Sequence, residues 1–180
     1  MNTYLILFLI PNPFCIRLCR LMDGITSITG LTPPYRNLPP HVTFHRPLTG
    51  IVDETVLKEL LRDTVARMRQ TRITLHGLST FEKQFVILPV QATRGAATLW
   101  VEIAKVLSQL PEYKPGEYDN DNTLHVTVAE KTSRIFDQVW PKIRNIETEI
   151  MHIPLQRIAL YRKPFEGGVW KQIATFPIPV

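Results

Sequence analysis

Two histidines in this chain each precede a threonine by two residues, with valine between: His41-Val42-Thr43 and His125-Val126-Thr127. Imidazole changes charge near neutral pH, so one such ring can accept a proton while another donates one. Threonine hydroxyls can hydrogen-bond the oxygens of an anion and hold charge that develops on it. Two imidazoles and two hydroxyls in one cleft therefore suit the breaking of a phosphodiester bond. One histidine would take a proton from the attacking water or hydroxyl, and the other would give one to the leaving oxygen. No metal or other cofactor is required in such a scheme.

Each tripeptide needs a strand to present it. On a strand His and Thr share one face and Val takes the other, about 6–7 Å separating the two polar groups. In the first copy Val42 and Phe44 are expected on the core side, and His41, Thr43 and His45 opposite. In the second, Val126 and Val128 are expected inward, and His125, Thr127, Ala129 and Lys131 outward if the strand stays regular. The elements around the two copies repeat. Strands are expected near residues 3–10 and 41–47, then near 72–78 and 83–90 with a turn at Ser79-Thr80, then near 124. The last three are expected near 147–153, 156–162 and 169–176. Helices are expected from Asn12-Pro13 to about 22, over 54–70 behind Asp53, over 96–110, and over 133–144. The first half thus reads strand, helix, loop, His-Val-Thr strand, helix, strand, and the second half, from near Gln84, reads the same way. The two histidines lie 84 residues apart in a chain of 180. A bilobal α+β molecule with pseudo-twofold symmetry follows, its lobes near 1–83 and 84–180 with room for exchange of the terminal strands.

Composition agrees with a packed globular chain: 44% hydrophobic and 21% charged residues,. A formal charge of +5 favours anionic ligands,. Cys15 and Cys19 are four apart, without a second pair for a zinc site, and read as small core residues in a reducing compartment,. No HExxH pattern is present. The apolar run Tyr4–Ile10 is stopped by Pro11-Asn12-Pro13, too short to cross a bilayer, and reads as a buried strand,. A soluble cytoplasmic protein, not bound to membrane and monomeric, is the expectation. His76 and His152 lie on other strands without a supporting motif. Tyr35 and Tyr118 occupy loops before the first and second motifs, where a ring can stack on a base. Arg162, Lys163, Phe165 and Trp170 form a basic-aromatic cluster around a turn.

The motifs His41-Val42-Thr43-Phe44 and His125-Val126-Thr127-Val128 resemble the paired H-x-[ST]-h signatures (h is hydrophobic) of the 2H phosphoesterase superfamily. The likeness is to its bacterial branch of 2′-5′ RNA ligase-like and cyclic phosphodiesterase proteins, and it covers nearly the whole chain in length and element order. It implies a bilobal α+β fold with pseudo-twofold symmetry, antiparallel sheets lining a central groove and helices outside. It also implies action on 2′,3′-cyclic phosphates or 2′-5′ linked RNA ends, with ligation as the reverse. RNA ends or small cyclic nucleotides would be the partners. His41 and His125 become the acid/base pair, with His125 leaning towards base in hydrolysis although the symmetry leaves this open. Thr43 and Thr127 become the phosphate-binding hydroxyls. Related proteins often carry arginine shortly after the second motif, where this chain has Glu130 and then Lys131. Lys131 is the candidate cation for phosphate, and Tyr35, His45 and Tyr118 are candidate substrate contacts. The alternative is an RNA- or nucleotide-binding module that keeps the cleft without turnover.

Overall fold

The computed structural model describes residues 2–45, 47–50, 53–111, 113, 124–164 and 167–180. Among these, strand β1 (Thr3–Leu9) and helix α1 (Phe14–Thr29) precede a short 3-10 turn (Pro34–Arg36) and the motif strand β2 (His41–Thr43). Strand β3 (Leu48–Thr49), helix α2 (Glu54–Ala66), and strands β4 (Thr71–Leu75), β5 (Ser79–Phe81) and β6 (Phe85–Ala92) follow. Helix α3 (Arg94–Leu107) leads to the second motif strand β7 (His125–Glu130), then α4 (Phe136–Ile143), β8 (Met151–Leu155), β9 (Arg157–Lys163) and β10 (Lys171–Pro177).

The strands form two antiparallel sheets. One is ordered β10-β9-β1-β2, with β3 also on β1. The other is ordered β5-β6-β4-β8, with β7 on β6. The sheets do not divide the chain at residue 83, because β4 and β5 join the second sheet while β9 and β10 return to the first.

Strand β1 shows why its sequence is apolar throughout. Tyr4, Ile6, Phe8 and Ile10 enter the main core, while Leu5, Leu7 and Leu9 on the other face pack with Ala159 and Tyr161. Both faces are covered, so alternation disappears. The main core is continuous across both sheets: Ile6 and Phe8 of the first join Ile73, Leu88, Val126 and Ile153 of the second. Helix α1 follows β1 in sequence yet packs against β7 of the other sheet, and α2 packs against α3 and β10.

Helix ends follow local chemistry. Asp53 caps α2, its carboxylate accepting from the Thr55 and Val56 amides at 2.9 and 3.1 Å,. Thr93 caps α3 in the same way. Helix α1 runs seven residues beyond its expected end near 22, because Leu18, Met22 and Ile25 keep one face buried through Gly24,. It ends at Gly30, whose φ of 72° is the left-handed conformation that glycine adopts without a Cβ clash,. The turn expected at Ser79-Thr80 lies instead at Glu82 and Lys83, which have φ of 51° and 56°. Residues Ser79–Phe81 form strand β5 paired to β6. Cys15 and Cys19 are half-buried free thiols rather than core residues. Burial and the neighbouring Cys15 push the Cys19 thiol up to about 11.

Candidate active site

Each motif strand is hydrogen-bonded to the strand that opens its own half of the repeat, and the registers correspond. His41 lies opposite Leu9 and Thr43 opposite Leu7 of β1. His125 lies opposite Pro89 and Thr127 opposite Ile87 of β6. Val42 and Val126 are buried, while the four motif His and Thr side chains keep partial exposure, as the strand alternation predicts,. Strands β2 and β7 belong to different sheets but pack side by side, which brings the two motifs together.

The environment of His41 is specific. Its Nδ1 lies 2.7 Å from the Pro39 carbonyl oxygen, which can only accept, so Nδ1–H is the donor,. In the neutral ring the lone pair is then on Nε2. Burial lowers the His41 pKa from its ordinary value; the Pro39 hydrogen bond opposes this, and charge on nearby His125 lowers it further,. Desolvation, the larger cause, thus favours the neutral form of the His41 ring,. On the other side of the pair, the Phe81 ring stacks on His125, centroids 5.9 Å apart and planes 23° apart. Sequence reasoning missed Phe81 because its segment reads as a turn.

Strand β7 is not regular. Ile87 opposes Thr127 but its neighbour Val86 opposes Ala129, so Val128 is an extra residue in a bulge,. Val128 and Ala129 are consequently both buried, Ala129 at 2% exposure, correcting its expected outward position. The alternation shifts by one beyond the bulge. Glu130, opposite Phe85, takes the face of His125 and Thr127 in place of Lys131. Lys131 leaves the strand with φ of 61° and is exposed. It lines a cavity of about 580 Å³ with Gln84, Phe85, Glu130, Ser133 and Arg134. The expected place of Lys131 in the histidine row is therefore corrected, the bulge and left-handed turn being the reason.

His45 is also corrected as a substrate contact. Strand β2 ends at Thr43, and the chain turns His45 inward to 3% exposure. Its ring stacks on Trp100 at 6.1 Å and meets Tyr113 edge-on at 5.7 Å. The Trp100 Nε1–H donates to the Phe44 carbonyl at 2.6 Å, so α3 holds the end of the first motif strand. Tyr35 sits on the 3-10 turn beside β7, its hydroxyl donating to Asp23 of α1, an engagement that raises its pKa. Tyr118 lies outside the described residues, as does Phe165 of the basic-aromatic cluster. Of that cluster, Arg162 pairs with Glu54 at 2.9 Å and Lys163 lies 5.1 Å from the Trp170 ring centroid. His76 and His152 are exposed. Among the described residues no three His, Cys, Asp or Glu side chains converge to hold a metal ion, and no helix is long and apolar enough to cross a membrane.

Comparison with known proteins agrees with this fold. Residues 17–163 match the family model described as the 2′-5′ RNA ligase superfamily. No curated protein matches the chain. Among solved structures, TT0787 of Thermus thermophilus superposes with a TM-score of 0.68 at 16% identity, covering 99% of this chain and 98% of that one. Escherichia coli LigT complexed with 3′-AMP gives 0.65 at 12% identity, and LigT complexed with phosphate gives 0.66 at 11%. The 3′-AMP complex is covered over 99% of both chains; the phosphate complex is covered over 98% of its own length and 99% of this chain. At these identities the likeness is one of fold.

Proposed function

The chain belongs to the 2′-5′ RNA ligase superfamily, and from that premise we propose that it is a metal-independent phosphodiesterase acting on 2′,3′-cyclic phosphates or 2′-5′ linked RNA ends. The observation that carries the reading is the matched register of the two His-Val-Thr strands, which pack side by side. The LigT complexes with phosphate, 3′-AMP and ATP support a ligand of phosphate or nucleotide chemistry.

In this proposal His41 is the base and His125 the acid in hydrolysis, reversing the sequence-based lean. Burial favours the neutral His41 ring, and its Nδ1–H bond to Pro39 leaves Nε2 to accept a proton. Nε2 takes a proton from water as the water oxygen bonds to phosphorus. The bond from phosphorus to the 2′ or 3′ oxygen breaks, and that oxygen takes a proton from His125. A cyclic phosphate thereby becomes a monoester, leaving His41 protonated and His125 neutral. Proton exchange with solvent then resets both rings. Thr43 and Thr127 donate hydrogen bonds to the non-bridging oxygens, where charge accumulates. The reverse sequence of proton transfers would form the bond.

Turnover of 2′,3′-cyclic nucleotides and 2′-5′ linked oligonucleotides by purified protein tests this, with His41→Ala, His125→Ala and the double variant beside it. Activity is expected to persist in chelator and to fall by roughly 10²–10⁴ in each single variant. Full activity in the double variant overturns the reading. RNA binding without turnover of either substrate class would point to the non-catalytic module instead.

A further inference from the structure

The two motif histidines meet different kinds of neighbour. One contact on His41 is a hydrogen bond, from Nδ1–H to the Pro39 carbonyl. One contact on His125 is a ring, Phe81, stacked on the imidazole with centroids 5.9 Å apart. Phe81 is backed in turn by Phe85, with centroids 6.3 Å apart. An imidazole turns about a broad, soft torsion where it joins its Cβ. A flat ring lying along it restricts that rotation, which the strand alone leaves open.

The placing of Phe81 depends on the turn that follows it. Phe81 ends β5, which pairs with β6. Glu82 and Lys83 then take φ of 51° and 56°, a left-handed conformation that costs free energy in any residue with a Cβ,. Such a conformation persists where its surroundings over-determine it. The Gln84 N–H donates to the Phe81 carbonyl at 3.0 Å and closes the turn. Thr132, fully buried, grips the turn from outside. Its Oγ1–H donates to the Lys83 carbonyl at 2.6 Å and its N–H to the Gln84 carbonyl at 3.1 Å. Lys83 Nζ also lies 5.6 Å from the Phe136 ring centroid. Thr132 comes two residues after the end of β7. The segment that carries His125 therefore also ties down the turn that aims Phe81 at it.

We propose that Phe81 is a positioning residue for His125, and that the Thr132 hydroxyl, acting through the turn at Glu82 and Lys83, holds Phe81 in place. This rests on the phosphodiesterase reading, in which His125 gives a proton to the leaving oxygen. That transfer needs the imidazole N–H within hydrogen-bond reach and aligned. The test follows 2′,3′-cyclic AMP turnover in three variants. Phe81→Leu keeps an apolar side chain without a flat ring, Phe81→Tyr keeps the ring, and Thr132→Val keeps the shape without the hydroxyl. Phe81→Leu is expected to lower kcat by about tenfold to a hundredfold with KM changed less than about twofold, the cost of a misplaced reacting group. Phe81→Tyr should recover most of kcat, and Thr132→Val should fall between the two. Unchanged kcat in Phe81→Leu overturns the proposal. So does a rise in KM alone, which would place the ring against the ligand instead of His125, and so does a Phe81→Tyr variant no better than Phe81→Leu. The His125 ring protons supply a readout without turnover. Assigned in NMR spectra by their loss in His125→Ala, they should move in Phe81→Leu and Thr132→Val and stay in place in Phe81→Tyr. If cyclic AMP is not turned over, the catalytic reading fails separately, and these spectra decide. Moved His125 signals uphold the hold of Phe81 on the ring, and unmoved ones remove it.

Discussion

In the proposed role of general base, His41 carries two opposing demands, since such a base must stay unprotonated and yet take a proton in the reaction. Its pKa lies below the ordinary imidazole value of about 6.5,. As pH falls, the unaltered ring keeps its lone pair further into acid than a free imidazole would. The acid limb of the kcat/KM profile is therefore expected below pH 6.5, measured from pH 4 to 9 with cyclic nucleotide. An acid limb well above 6.5 would remove His41 from the base role. The same shift has a stability consequence with the opposite sense to a paired histidine. The unfolded chain binds this proton from about pH 6.5 downwards while the folded one resists it, so stability falls with pH from there to the depressed folded value. Glu130 is the second residue whose position matters, because the bulge sets its carboxylate on the face of His125 and Thr127. A negative charge on the face proposed to receive phosphate opposes it by about 1 kcal/mol at intermediate dielectric. Glu130→Gln is expected to lower KM roughly fivefold with little change in kcat, in steady-state kinetics at low salt. An unchanged KM would mean the carboxylate points away from the ligand.

At the scale of elements, the two motif strands are held by unlike means. The first, β2, has three residues, and its far end is fixed from outside by the Trp100 Nε1–H to Phe44 bond and by His45 buried on Trp100. The second, β7, has six residues, and its ladder is interrupted by the bulge at Val128. Trp100→Phe keeps an aromatic ring but leaves the Phe44 carbonyl without this donor. It is expected to cost about 1–3 kcal/mol of stability in urea unfolding and to reduce kcat more than it raises KM, because His41 rides on the same strand. An effect on stability with kcat/KM intact would separate the clamp from the site. Helix α3 meets the second sheet closely: a Cβ built on Gly95 would stand 2.7 Å from Thr71 Oγ1. Gly95→Ala is therefore expected to destabilise despite the better helix propensity of alanine, and a rise in the thermal midpoint would contradict that contact.

Across the whole molecule, the repeat in sequence becomes two sheets that share one core. Helix α1 of the first half covers the second sheet at β7, and strands β9 and β10 of the second half complete the first sheet. Neither half can unfold without exposing the apolar face of the other. Leu18 of α1 is fully buried in the shared core. Leu18→Ala is expected to cost about 2–5 kcal/mol and to lower a single calorimetric transition. Two resolved transitions, only one of them shifted, would show lobes that fold independently. Much of this architecture was legible in the residues. Paired His-Val-Thr tripeptides at corresponding places in a repeated element order determined the chemistry under consideration, and the strand period determined that His and Thr share a face. The apolar run at Tyr4–Ile10 and the Asp53 cap were readable for the same reason, since each depends on residues adjacent in sequence. Only the tertiary structure decided which side chains remain on that face. The bulge at Val128 arises from pairing with β6, a partner far away in sequence, and it exchanges Lys131 for Glu130. His45 turns inward because Trp100 and Tyr113, more than 50 residues later, provide a buried surface for its ring. Periodicity along one strand carries no information about the strand or helix that packs against it, and those neighbours set the final composition of the site.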